Sequence, residues 1–287
     1  MPGGEDRDLT NSVTDESPSN LERTAGAIMT PSRSALVTGA ARGIGRAIAE
    51  RLGADGLGVS VADLPSSKDQ VDAVVTDLGG PDAALGLTVD VTDPVSVESA
   101  VAEHVKHFGG LDVMVANAGL AVTAPLLETT AEQWQLIMDV NLKGVFHCYQ
   151  SAACQMIAQD RGGRLIGAAS VASHRGGKWQ AAYSASKFAV RGMSQSVAQE
   201  LAAHQITVNV YSPGVVHTPM WEGIDAEMTR RRGTELGSEM AGMVAGIPLG
   251  RLETPTDVAG VVSFLASPDA DYITGQSIVV DGGMWFS

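Results

Sequence analysis

The sequence predicts an α/β fold: one domain built on a doubly wound parallel sheet. Three observations carry this. Short, nearly continuous apolar runs recur along the chain, as expected of strands buried on both faces. Stretches of helical spacing separate them, so strand and helix alternate. The first apolar run is followed at once by a glycine cluster that opens a helix. With 287 residues and 44% hydrophobic content the chain can bury a sizeable core.

In chain order the apolar runs are "SALVT", "LGVSVAD", "ALGLTVD", "LDVMVANAG", "GRLIGAAS", "ITVNVYS" and "SIVV". Between them lie helical patterns over 43–55, 94–108, 131–159, 182–203 and 256–266. Right-handed crossovers join such units into a sheet covered on both sides. No repeat and no linker interrupts the pattern, so residues 33–287 read as one domain. Residues 1–32, rich in Ser, Thr, Asp, Glu and Asn without apolar periodicity, are expected to form a disordered tail.

Charge and cysteine usage exclude several function classes. A net charge of −14 argues against an electrostatic grip on nucleic acid or anionic lipid. The two cysteines, Cys148 and Cys154, fall within one predicted helix nearly two turns apart, a poor geometry for a disulfide. Neither they nor the histidines show metal-ligand spacing, so no metal site is expected. No basic-then-apolar leader and no bilayer-length apolar segment is seen, and the chain reads as cytoplasmic.

The stretch "LVTGAARGIGRAIAERL" places Gly39, Gly43 and Gly45 between strand and helix, with Arg42 and Ile44 among them. Glycines there let backbone approach a pyrophosphate, and free N–H groups at the helix start face the anion. This is a Rossmann-like dinucleotide cradle. Asp63 ends the second strand, where a carboxylate can accept both ribose hydroxyls of NAD and repel the extra phosphate of NADP. Leu64 follows where an arginine could favour NADP, while Arg42 is the dissenting cation. Asp90 and Val91, after the third strand, fall where an adenine edge is flanked.

Tyr183 and Lys187 in "YSASK" stand one helical turn apart. With "TGAARGIG", "ANAG", "NLKG", Ser170 and "SPGVVHTPM", they make the chain resemble the short-chain dehydrogenase/reductase family. The resemblance implies a catalytic tetrad of Asn141, Ser170, Tyr183 and Lys187. A ketone accepting hydride needs a proton as alkoxide charge develops. An unperturbed phenol titrates near 10, and a neighbouring cation lowers that value. Ser170 then positions the substrate oxygen, and Asn141 holds a water that links Lys187 to solvent. Small residues at 184–186 are expected to leave room for the ligands. The resemblance also implies that Pro213 and Gly214 turn under the nicotinamide, that Val216 and Thr218 meet its carboxamide, and that Asn117 and Gly119 brace the site.

The final third most resembles acetoin (diacetyl) reductases, or 2,3-butanediol dehydrogenases. That implies an NAD-linked oxidoreductase of small secondary alcohols and ketones. Those enzymes tend to carry Gln and Asn where this chain has Val171 and Gly177, so a less polar or differently shaped substrate is expected; Trp179 close by reads equally as substrate wall or as packing on the pocket rim. Residues 217–247 correspond to the substrate lid, with Met220 and Trp221 at its start. The run Arg230–Arg232 reads as a solvated face or an anion grip. Alternatives are a polyol dehydrogenase, an NADPH-linked 3-oxoacyl thioester reductase, and a nucleotide-sensing scaffold. The family implies a homotetramer, with the tail "GGMWFS" at a subunit interface.

Overall fold

The computed structural model describes residues 33–286, so the expected tail over 1–32 lies outside the described residues. Among them, seven strands form one sheet: β1 (Ser34–Thr38), β2 (Gly58–Asp63), β3 (Ala84–Thr88), β4 (Val113–Ala116), β5 (Gly163–Ala168), β6 (Ile206–Pro213) and β7 (Ser277–Val280). Their order is β3-β2-β1-β4-β5-β6-β7, and every neighbouring pair is parallel. The order reverses beside β1, which pairs with β2 on one side and β4 on the other. In such sheets the crevice past the carboxyl ends of the strands at that reversal is where ligands bind.

The helices are α1 (Gly43–Ala54), α2 (Lys68–Asp77), α3 (Pro94–Phe108), α4 (Ala131–Met138), α5 (Gly144–Gln159), α6 (Ala181–Leu201), α7 (Pro219–Arg232), α8 (Ser238–Ala245) and α9 (Pro255–Ala266). The two-residue period of the strands sorts the core into two layers. Ala35 and Val37 of β1 pack with Ile48 and Leu52 of α1 and Val258 and Val262 of α9. Leu36 and Met114 point the other way, onto Cys148, Tyr149 and Met156 of α5 and Val190 of α6. Continuous apolar strands are thus explained: both faces are covered.

Local chemistry sets several boundaries. Asp93 caps α3 by accepting the Val95 N–H, with Pro94 in the first turn and Gly109 in the left-handed conformation at the end. Thr130 and Gln133 form a capping box on α4, and Thr254 and Asp257 do so on α9. His104 is fully buried, its two ring nitrogens bonded to Ser60 at 2.7 Å and Ser34 at 2.9 Å. Burial pushes its pKa down to about 3, so it serves as a neutral bridge within the core.

One predicted element differs. The single helix expected over 131–159 is interrupted by a π-helical turn, Asp139–Lys143, between α4 and α5. A π turn inserts one extra residue per turn and reorients the side chains it carries. The residue it carries inward is Asn141, which is completely buried. Cys148 and Cys154 are both free thiols, one buried and one exposed. No described helix is long and apolar enough to cross a membrane.

Candidate active site

A cavity of about 1180 Å³ opens past the carboxyl ends of the strands. At its first wall, α1 begins on Arg42 without a side-chain cap, and Gly43, Ile44 and Gly45 line the space. The leading N–H groups of a helix have no intrahelical partner, and an uncapped start leaves them for a ligand. Two glycines here are compulsory. A Cβ on Gly45 would lie 2.2 Å from the Gly39 carbonyl oxygen and 2.4 Å from the Asn117 amide nitrogen. Gly39 has φ +65° and faces the Ala118 backbone.

Asn117 locks this corner. Its amide donates to the carbonyls of Thr38 at 2.8 Å and Gly39 at 3.0 Å, and its Oδ1 accepts the Tyr211 hydroxyl at 2.8 Å. Asp63, Asp90 and Val91 line the far end with the exposed Arg42. The Asp63 carboxylate accepts the N–H of Ala41 at 3.0 Å and of Leu64 at 2.8 Å. Asp90 braces its own turn through Thr92. Pro213, Gly214, Val216 and Thr218 line the opposite side.

Ser170, Tyr183 and Lys187 meet on one wall of the same cavity. Tyr183 and Ser170 both line this wall, and the Ser170 Oγ accepts the Ala172 N–H at 3.1 Å. Lys187 is 3% exposed; its Nζ donates to the Ala168 carbonyl at 2.8 Å and stands 5.6 Å from the Tyr183 ring centroid. Burial lowers its pKa to about 8. Burial raises the Tyr183 phenol, with the Ser170 hydroxyl acting in the opposite sense. The depression expected from Lys187 is not found in the protein by itself, where burial sets the direction.

Asn141 sits one layer behind the wall. Its Oδ1 accepts the Leu120 N–H, and its Nδ2 donates to the Leu120 carbonyl, each at 2.9 Å, and to Ser186 Oγ at 3.2 Å. Gly119 fills the space between it and Lys187: a Cβ there would lie 3.3 Å from Asn141 Oδ1 and 3.6 Å from Lys187 Nζ. The small residues of "YSASK" have a different reason from the one expected. Ser184 and Ser186 are buried away from the cavity, where Ser184 accepts the Gly177 N–H and Ser186 meets the Asn141 turn. They let α6 approach its neighbours closely.

Val171, Gly177, Met220 and Trp221 line the cavity beside Ser170; Trp179 does not. Its backbone is left-handed, at φ +64°, and its ring lies near the Lys178 ammonium and the Arg232 guanidinium. That departs from the substrate-wall reading. Sequence reasoning also missed Arg175, Met284 and Trp285 as lining residues; the Arg175 guanidinium stacks 4.2 Å over the Trp285 ring. The tail aromatic expected at a subunit interface reaches the cavity because Asp281 accepts the Trp285 N–H at 2.8 Å. The arginines of the run are paired with carboxylates: Arg230 and Arg231 with Glu227, Arg231 also with Glu128, and Arg232 with Glu239.

Lys187 yields a stability prediction. Its folded pKa of about 8 lies below the ordinary lysine value of 10.5, so the unfolded chain binds more protons between those limits. Burying its charge costs stability fully below about pH 8, and the cost fades as pH rises toward 10.5. Lys187→Met removes that cost, about 3 kcal/mol, but forfeits the bond to Ala168, about 1 kcal/mol. Urea unfolding is expected to find the variant more stable by roughly 2 kcal/mol at neutral pH, with the margin closing in alkali.

Comparison with known proteins agrees with this geometry. A family model described as enoyl-(acyl carrier protein) reductase matches residues 39–285. The L-2,3-butanediol dehydrogenase of Corynebacterium glutamicum is 45% identical over 89% of this chain and 100% of its own length. A diacetyl reductase [(S)-acetoin forming] of Staphylococcus aureus is 42% identical over 90% of this chain and 100% of its own. The crystal structure of a short-chain type dehydrogenase/reductase from Mycobacterium marinum superposes with a TM-score of 0.80 at 34% identity, covering 90% of this chain and 97% of that one. By sequence match and by fold together, this chain belongs to the short-chain dehydrogenase/reductase family.

Proposed function

We propose that the protein is an NAD(H)-dependent oxidoreductase interconverting a small secondary alcohol and its ketone, with acetoin, diacetyl and 2,3-butanediol as lead substrates. The observation that carries this reading is that Ser170 and Tyr183 line one cavity wall with Lys187 buried beside them, its Nζ 5.6 Å from the Tyr183 ring centroid. Two hydroxyls then converge on one point, where a substrate oxygen can accept from both.

The uncapped start of α1 and the glycine corner fit a pyrophosphate, and Asp63 fits a ribose diol. When bound, the nicotinamide cofactor supplies or takes up the hydride. In the reducing direction Tyr183 gives its proton to the substrate oxygen as negative charge develops there. Lys187, a cation below about pH 8, stabilises the phenolate that remains. Ser170 holds the oxygen in place, its own orientation fixed by the Ala172 N–H. Asn141 is a positioning residue: it holds the Leu120 backbone beside Lys187 and so shapes the proton's route to solvent.

Val171 and Gly177 with Met220 and Trp221 give the substrate end an apolar character, suited to methyl ketones. The α7–α8 pair forms the lid: Asp225, buried in α7, accepts the N–H of Gly237 at 2.7 Å and of Met240 at 2.8 Å and ties the two together. The reading includes a homotetramer, supported by Phe146 of α5 and Phe188 of α6, both apolar and exposed. The test is a panel of acetoin, diacetyl, butanediols, hexitols, cyclic alcohols and 3-oxoacyl thioesters, each assayed with NAD(H) and NADP(H). Turnover of the four-carbon compounds with NAD(H) is expected to lead. A panel led by hexitols, or by 3-oxoacyl thioesters with NADPH, overturns the substrate reading.

A further inference from the structure

Glu253 lies outside the cavity, immediately before the Thr254 cap of α9, and it is 7% exposed. Three bonds lace it to the Pro213–Thr218 loop. Its N–H donates to the Val215 carbonyl at 3.0 Å, and its own carbonyl accepts the His217 N–H at 2.9 Å. Its Oε2 accepts the Gly214 N–H at 2.9 Å, a donor shared with the Val280 carbonyl at 2.8 Å. The second carboxyl oxygen, Oε1, is buried with no partner among the described residues. A structural carboxyl in a loop normally satisfies both oxygens or stays in water. This one is buried against the loop that forms the cavity wall.

Its surroundings are electrostatically one-sided. Asp257 on α9 and Asp281 after β7 both disfavour a charge on it, and Arg251 only partly opposes them. Arg251 is committed to Asp257, at 2.7 and 2.9 Å, and Asp281 to the N–H groups of Gly283 and Trp285. Burial is the largest cause and these charges add to it, so the carboxyl pKa is pushed up to about 8 although the Gly214 N–H acts in the opposite sense. Near neutrality Glu253 is therefore mostly an uncharged acid. The loop it braces contributes Pro213, Gly214, Val216 and Thr218 to the cavity, at the stretch where the family resemblance implies the nicotinamide lies.

We propose that Glu253 is a positioning residue for the Pro213–Thr218 loop whose charge state sets which redox form of the dinucleotide the site prefers. The inference rests on the dinucleotide reading above. The oxidised nicotinamide ring is a cation and the reduced ring is neutral. An ionised Glu253 attracts the cation across the Gly214 backbone, and gives the neutral ring nothing comparable. By linkage, the oxidised form draws the proton off Glu253, and loss of that proton strengthens its binding. Lys187, on the other side of the cavity, loses its charge in the same pH range and acts in the same direction. Only the part of the effect that depends on residue 253 belongs to Glu253.

The experiment compares wild type with Glu253→Gln, a neutral isostere that keeps the acceptor for Gly214. Dissociation constants of NAD and NADH are measured by fluorescence and calorimetry from about pH 6.5 to about pH 9. In wild type the ratio of the NADH to the NAD constant is expected to rise with pH by about tenfold more than in the variant. Parallel curves overturn the proposal and leave the dinucleotide reading intact; absence of dinucleotide binding in both proteins overturns both. A second measurement needs no variant to fold. Infrared difference spectra of the wild-type protein near neutral pH are expected to lose a protonated-carboxyl band on adding NAD and to keep it on adding NADH. A band that NAD leaves unchanged sinks the assignment.

Discussion

Tyr183→Phe is expected to lower kcat by about 10³-fold or more while leaving the dinucleotide dissociation constant within about twofold. The substitution removes one oxygen and keeps the ring. Tyr183 is held by α6 on the cavity wall, with Ser170 on the same wall and Lys187 one turn on. Proton transfer by a positioned group contributes about 10²–10⁴-fold, and no other phenol is placed to substitute. Tyr211 also lines the cavity, but its hydroxyl is spent on Asn117 and burial raises it well above the usual phenol value. Ser170 would keep the substrate oxygen in place, so KM is expected to move little. The variant should also be at least as stable as wild type, because a buried phenol loses its polar atom without leaving a charge behind. Pre-steady-state hydride transfer separates the outcomes. A variant that transfers hydride at the wild-type rate places the proton donor elsewhere.

Much of the fold was legible because its signals are local and strong. Each strand is a continuous apolar run since helices cover both sheet faces, and Leu36 against Ala35 and Val37 shows the two sides being filled by alternate residues. Helix α2 gave little signal. It buries only Val71 and Val74, so its apolar stripe is too thin to stand out in a charged segment. The break at Asn141 was also hidden. A π turn shifts the helical phase by one residue, and the apolar pattern over 131–159 absorbs that shift without an obvious gap.

At the site, residue types with chemical necessity could be placed from sequence, and residues placed by long-range packing could not. Gly39, Gly45, Asp63, Ser170, Tyr183 and Lys187 all face one cavity, each adjoining a strand end or a helix near one. Trp179 stayed open between substrate wall and rim because its side-chain direction depends on a left-handed backbone that no local rule demands of a tryptophan. Met284 and Trp285 reach the cavity through a carboxylate on the preceding turn, a bond between main chain and side chain that leaves no periodic trace. Arg230, Arg231 and Arg232 were ambiguous for the opposite reason. Their partners Glu128, Glu227 and Glu239 come from three elements, and only the folded chain shows the charges already matched.

Replacing Asp63 by Ser is expected to change coenzyme preference, lowering the ratio of kcat/KM with NADH to that with NADPH by about 100-fold. In the folded chain Asp63 ends β2 at the far end of the cavity and accepts two backbone N–H groups, from Ala41 and Leu64. An ionised carboxylate has about four acceptor positions, so two remain for the ribose diol of NADH. The same charge beside a ribose phosphate is repulsive, at a cost of several kcal/mol when little water intervenes. Serine removes both effects together, which is why the ratio responds more than either rate. Arg42 decides how far the change goes. It is exposed at the same end of the cavity, where a guanidinium can meet a phosphate that Asp63 no longer repels. Asp63→Ser combined with Arg42→Ala should therefore recover part of the lost ratio by weakening NADPH alone. The Ala41 N–H loses its acceptor in both variants, so NADH binding is compared between them and not with wild type. An unchanged ratio in Asp63→Ser would put the adenosine ribose at some other part of the cavity, and with it the reason for the carboxylate at the end of β2.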